Sequence, residues 1–181
     1  MQKFLFDLEE AFYNVPIDYT NNRVARATGQ VVNENHIQRI ERPFMTELYH
    51  QWRLIMINNP SRYNGLILHA TIGKLIDGDN VEFPDLALHG GQIGPNRNRN
   101  EIMVEIKMGN YDTNDMRKLF NAVSGRLSYK KGVYIVFQKT FEQIRTTVKN
   151  DLDNIRKFES DFRKIFFLTK KDGLFNLNDL M

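Results

Sequence analysis

The sequence predicts an α/β domain built from a helix, a three-strand meander, a helix and a strand, with an N-terminal helical extension and an extra C-terminal helix and strand. Three observations lead there. Residues 101–107 (Glu-Ile-Met-Val-Glu-Ile-Lys) alternate side-chain character with the period of two of a strand. Phe44, Leu48, Trp52, Ile55 and Met56, and again Met116, Leu119, Phe120, Val123 and Leu127, recur at helical spacing. Turn-forming residues separate these runs. A chain of 181 residues suits one domain with an extension, here residues 1–42 as the extension and 43–181 as the α/β domain.

Taken in order, Phe4, Leu5, Leu8, Ala11 and Phe12 make the first helical stripe, which Pro16 ends. Residues 33–41 read as a second, mostly polar helix. Pro43 suits the start of the next helix and Asn58-Asn59-Pro60 its end. Strands are expected over 66–72 and 81–88 around the turn-forming Asp77-Gly78-Asp79-Asn80, with Pro84 interrupting ladder pairing in the second. A Gly-, Asn- and Arg-rich loop over 90–100 leads into the alternating strand 101–107. Thr113-Asn114-Asp115 provides a cap for the following helix. Residues 132–137 read as a buried strand. Thr140 and Gln143 form a capping box before the stripe Phe141, Ile144, Val148, Leu152 and Ile155, and 165–168 is a last short strand.

Composition removes several function classes. The chain has no cysteine, which excludes disulfide frameworks, zinc ribbons and thiol nucleophiles. None of its four histidines are spaced i, i+4, so a helical His pair for zinc is absent. Any metal must be held by carboxylates and carbonyls, which favours Mg2+ or Mn2+. No apolar run is long enough to span a bilayer, and the acidic start does not suit a signal peptide, so a cytoplasmic protein without membrane partners is expected. The net charge of +3 permits a phosphate-rich partner without requiring one.

Chemistry concentrates on the third strand. Alternation puts Ile102, Val104 and Ile106 on one face, and Met103, Glu105 and Lys107 on the other. If the preceding strand pairs antiparallel with it, Asp85 comes beside Glu105. Two carboxylates that close repel, and a cation between them relieves the repulsion. A divalent metal there, with Lys107 alongside to orient or activate a water, is an apparatus for phosphodiester hydrolysis. A Glu-x-Lys pair on an alternating strand also occurs as a solvated sheet face with a weak ion pair, and Pro-Asp also occurs as a simple turn. The third reading is an unrelated α/β protein, in which the two carboxylates would face opposite sides of the sheet.

Phe83-Pro84-Asp85, nineteen intervening residues (86–104) and Glu105-Ile106-Lys107 resemble the signature of the PD-(D/E)xK superfamily of restriction-endonuclease-like nucleases. The element order resembles that family's core over residues 44–137. The resemblance implies that Asp85 and Glu105 are metal ligands, that the Ile106 carbonyl is a further ligand, and that Lys107 is the catalytic lysine. It also implies a glutamate from the first core helix: Glu47 is the candidate and Glu41 the second choice. The expected activity is Mg2+- or Mn2+-dependent hydrolysis of phosphodiester bonds, with DNA the favoured substrate and the choice between DNA and RNA not fixed by the motif. The alternative is a non-cleaving nuclease-fold module that binds nucleic acid or a partner protein. Arg97, Arg99, Lys130 and Lys131 are candidate nucleic-acid contacts, and a homodimer or partner protein is compatible with the unassigned surfaces.

Overall fold

The computed structural model describes residues 2–19, 41–70, 84–91, 98–107, 111–125, 127–137 and 139–181. The polar helix expected over 33–41 lies almost wholly outside them, as do the 77–80 turn and Arg97. Among the described residues, the α-helices are α1 (Gln2–Asn14), α2 (Glu41–Asn58), α3 (Thr113–Ser124), α4 (Phe141–Asn150) and the short α5 (Leu152–Ile155). The strands are β1 (Leu66–Ala70), β2 (Leu86–Gly90), β3 (Asn100–Lys107), β4 (Lys131–Val136), β5 (Ile165–Thr169) and β6 (Gly173–Asn176). They form one open mixed sheet in the order β1-β2-β3-β4-β5-β6. The β1–β2, β2–β3 and β5–β6 pairs are antiparallel, whereas β3–β4 and β4–β5 are parallel. None of the described helices is long and apolar enough to cross a membrane.

The alternation of β3 sorts the core into two layers. Ile102, Val104 and Ile106 pack with Phe12 of α1 and with Phe44, Leu48 and Trp52 of α2. Met103 packs on the other face with Met116, Leu119 and Phe120 of α3 and with Ile144 and Val148 of α4. The N-terminal helix thus shares the core of the α/β unit, and Glu9 of α1 accepts the Leu174 amide of β6 at 3.0 Å. A second tie runs beneath α1. Asp7 is ion-paired with Arg62 and accepts the Tyr63 hydroxyl at 2.6 Å, and that hydroxyl accepts the Trp52 indole N–H at 3.1 Å.

Several boundaries differ from the sequence reading for identifiable reasons. Helix α2 includes Glu41 and Arg42 ahead of Pro43, the expected start. Among the described residues, β2 pairs with β3 from Leu86, after Pro84 and Asp85, and a register shift at Leu88/His89 sets His89 opposite Asn100. The α3 cap is Asp112, whose carboxylate accepts the Asn114 amide at 2.8 Å. The Thr140–Gln143 capping box opens α4, but the helical stripe breaks at Asp151, and Leu152 and Ile155 belong to α5. Strand β6 is an addition to the predicted order. It follows a turn closed by the Asp172 amide on Thr169 Oγ1 at 3.0 Å, with Gly173 at φ +70°.

Candidate active site at the end of β3

Asp85, Glu105 and Lys107 are brought together where β3 ends and β2 begins. The antiparallel register sets Leu86 opposite Val104, and one residue further on it brings Asp85 to Glu105. The Asp85 side chain fixes the junction, because its Oδ2 accepts the backbone amide of Ile106 at 2.7 Å. A carboxylate thus takes the amide beyond the first paired residue of β2, a role that the ladder would otherwise give to a backbone carbonyl. Burial holds the Asp85 carboxyl above its usual range, with Glu41 and Asp115 adding to the effect and the Ile106 hydrogen bond opposing it.

Glu105 is the most perturbed carboxyl of this group. It is 3% exposed, and its Oε1 has no hydrogen-bond partner among the described residues. Burial and the neighbouring Asp85 charge push its pKa from 4.5 up to about 9, against the opposing charges of Lys118 and Lys107. Its neighbour across the parallel β3–β4 pair is Tyr134, fully buried, whose hydroxyl accepts the Asp112 amide at 2.9 Å. Glu105 therefore sits against a dry, ordered wall.

Lys107 projects to the rim and pairs with Asp115 of α3 at 2.9 Å. Burial opposes its charge, but the Asp115 hydrogen bond and the Asp115, Glu41 and Asp112 charges outweigh that and raise its pKa. These charges favour its ammonium form. Asp115, 5% exposed, also binds Lys118 at 2.9 Å. Burial alone would raise the Asp115 carboxyl, but the bonds from Lys118 and Lys107 bring it below its ordinary range. Asp115 entered the sequence reading only as part of a helix cap, and Lys118 and Tyr134 did not enter it as site residues. The i, i+3 spacing of Asp115 and Lys118 was the available signal.

Of the two α2 glutamates, Glu41 acts on both Asp85 and Lys107. Glu47 lies six residues further on, ~9 Å along the helix axis, and accepts a hydrogen bond from Gln51 at 2.7 Å. Ile106 contributes its amide to Asp85, while its side chain faces the opposite layer. The basic candidates lie elsewhere. Arg99 and Lys130 both pair with Glu101, at 2.9 and 2.8 Å, and Lys131 donates to the Arg163 carbonyl at 3.1 Å and covers the Phe166 ring. Lys131 is opposite Ile102, so this cluster stands at the start of β3, some ~20 Å along the strand from Lys107 at the usual rise. Arg97 lies outside the described residues.

Among the described residues, no group of three or more His, Cys, Asp or Glu side chains is placed to hold a metal. No family model matches the chain, and comparisons with curated proteins and with solved structures find no match.

Proposed function

We propose that this chain is a metal-dependent nuclease-like enzyme that hydrolyses phosphodiester bonds, with DNA as its substrate, on a restriction-endonuclease-like core. One observation carries the reading. Glu105 is a buried carboxyl with an unpartnered oxygen, pressed against a second carboxylate, on the strand face that also bears Lys107. A protein gains nothing in stability from that arrangement, and perturbed groups of this kind gather at functional sites. The element order of helix, three-strand meander, helix and strand supports the same core.

The residues fit a hard divalent cation. Asp85, Glu105 and the Ile106 carbonyl are all oxygen donors, and Glu41 is the helix glutamate best placed to tune them. Mg2+ commonly uses one or two carboxylates and completes its shell with waters and substrate phosphate, so the absence of a third clustered carboxylate is no obstacle. When bound, such a cation supplies Lewis acidity toward a phosphoryl oxygen and a more acidic water. The remaining work belongs to the chain. Asp85 is oriented by the Ile106 amide, Tyr134 and the apolar layer keep the floor dry, and Lys107 holds a positive charge beside the place where an anionic group would sit.

The test is cleavage of labelled DNA and RNA, single- and double-stranded, with Mg2+ or Mn2+. Wild type should cleave at least one DNA form, and Lys107→Ala should lower the rate by about a hundredfold or more, the scale of one lost electrostatic donor. No cleavage by wild type of any of these substrates refutes hydrolysis. Binding without cleavage would favour the non-cleaving module.

A further inference from the structure

His69 and His89 stand twenty residues apart in sequence but meet across the β1–β2 pair. The i, i+4 spacing that excludes a helical histidine pair, and with it the expectation of oxygen ligands alone, does not reach two residues on neighbouring strands. The register sets His69 opposite Ala87 and His89 opposite Ile67, so the two rings share one sheet face as diagonal neighbours. His89 Nε2 lies 2.9 Å from His69 Nδ1, and the rings meet edge to face with centroids 4.6 Å apart. His69 is exposed and His89 half-buried, so the pair opens to solvent.

The protons on the two rings can be placed. A carbonyl oxygen only accepts, so the 2.6 Å contact between His89 Nδ1 and the Gly90 carbonyl puts a proton on Nδ1. The neutral ring then presents Nε2 as a bare lone pair, to which His69 Nδ1–H donates in the free protein. A carbonyl that holds one ring nitrogen so that the other faces a metal is the usual surrounding of a ligating imidazole. Desolvation and the neighbouring His89 lower the His69 pKa, which favours the neutral ring that a metal requires. Two nitrogens 2.9 Å apart, each about 2.05 Å from a cation, subtend about 90° at it, the cis angle of square-planar and octahedral sites. A tetrahedral angle needs them only about 0.4 Å further apart. Among the described residues no third histidine or acid joins the pair in a metal-holding group, so it is also separate from Asp85 and Glu105.

We propose that His69 and His89 hold a divalent transition cation suited to imidazole (Ni2+, Cu2+ or Zn2+), with water in its other positions, and that the ion clamps β1 to β2. On binding, the proton on His69 Nδ1 passes through solvent to Nε2 of the same ring, so both rings ligate in their neutral form. Mg2+, which prefers oxygen donors, is not taken here. The site stands independently of the hydrolytic reading.

Calorimetric titration of the untagged full chain with Ni2+, in excess Mg2+ to occupy oxygen sites, reads it directly. Wild type should bind one Ni2+ and saturate below about 1 mM. His69→Gln and His89→Gln should each weaken binding about tenfold or more, because a single imidazole remains. His36→Gln, His50→Gln and Glu105→Gln should each stay within about twofold of wild type. Melts in EDTA establish that both strand variants fold, and added Ni2+ should raise the midpoint of wild type but not of either variant. No saturable binding by wild type overturns the proposal, as does a loss of less than about threefold in His69→Gln or His89→Gln. Equal weakening by His36→Gln, His50→Gln or Glu105→Gln places the ion elsewhere and overturns it as well.

Discussion

Replacing Glu105 with Gln should stabilise the protein, and by an amount that grows with pH. The Glu105 carboxyl has its pKa pushed from 4.5 to about 9 in the folded chain. Between those two values the native state keeps a proton that the unfolded state has released. The unfolded state then binds fewer protons, so wild-type stability falls as pH rises from about 4.5 to about 9 and levels off above that. At pH 7 the cost integrates to about 3 kcal/mol, and between pH 5 and 8 it grows by about 4 kcal/mol, both of order-of-magnitude precision. Gln has nearly the same shape and does not ionise. Whatever its amide gains or loses in the pocket is independent of pH, so the slope is the diagnostic quantity. For a chain of this size each kcal/mol moves the midpoint by about 2–4 °C, which puts the widening between pH 5 and 8 on the order of 10 °C. Thermal melts of both proteins at pH 5, 6, 7 and 8, with a chelator present, read it directly. Adding millimolar Mg2+ or Mn2+ should then raise the wild-type midpoint at pH 8 and leave Glu105→Gln unmoved. Parallel curves across the pH range would refute the reasoning, because Glu105 would then ionise in the folded protein as readily as in the unfolded one.

Glu101→Gln should act in the opposite direction. It strips the shared partner from Arg99 and Lys130 and should cost about 1–3 kcal/mol in a urea titration, the lower part of the range because both cations are partly exposed. Tyr63→Phe removes the acceptor of the fully buried Trp52 indole and a donor to Asp7; a loss of about 1–3 kcal/mol is expected, and an unchanged urea midpoint would mean that the network is not closed as described. Gly132→Val should lower the melting temperature through about 1–3 kcal/mol of overpacking, since even a Cβ there meets Ile165 at 2.9 Å and Leu119 at 3.3 Å.

What could be read from the sequence was whatever a local pattern determines. The face assignments of β3 follow from alternation alone, and the α4 capping box from four adjacent residues. Tertiary decisions were hidden. The start of β2 depends on Pro84 lacking a donor and on Asp85 taking the Ile106 amide, neither of which has a sequence period. Glu41 lies ahead of the expected helix start at Pro43, yet α2 includes it and its charge acts on Asp85 and Lys107. Strand β6 is four residues long and shows no alternation of its own; it is held by pairing with β5 and by Phe175 stacked on Phe167 at 5.7 Å. The basic residues Arg99 and Lys130 looked available for phosphates because their partner, Glu101, is identified only by the packing of β3 against what precedes β4.

Glu101 and Glu105 form an internal comparison within one strand. Both lie on the same face of β3, four residues apart, and both are nearly inaccessible, at 2% and 3% exposure. The fold supplies Glu101 with two cations on a single oxygen, as the cost of burying a charge requires. Lys107 and Lys118 act on Glu105 through their charge, yet both are ion-paired with Asp115, and among the described residues Glu105 Oε1 has no hydrogen-bond partner. A sequence selected for stability alone would have used one of those lysines on Glu105, or replaced the acid with an apolar residue of similar size. Consistency at one end of the strand and its violation at the other are what a functional site looks like in an otherwise satisfied core. The proton that Glu105 keeps offsets that violation in the free protein, and on the proposed function a divalent cation held with Asp85 would take the proton's place.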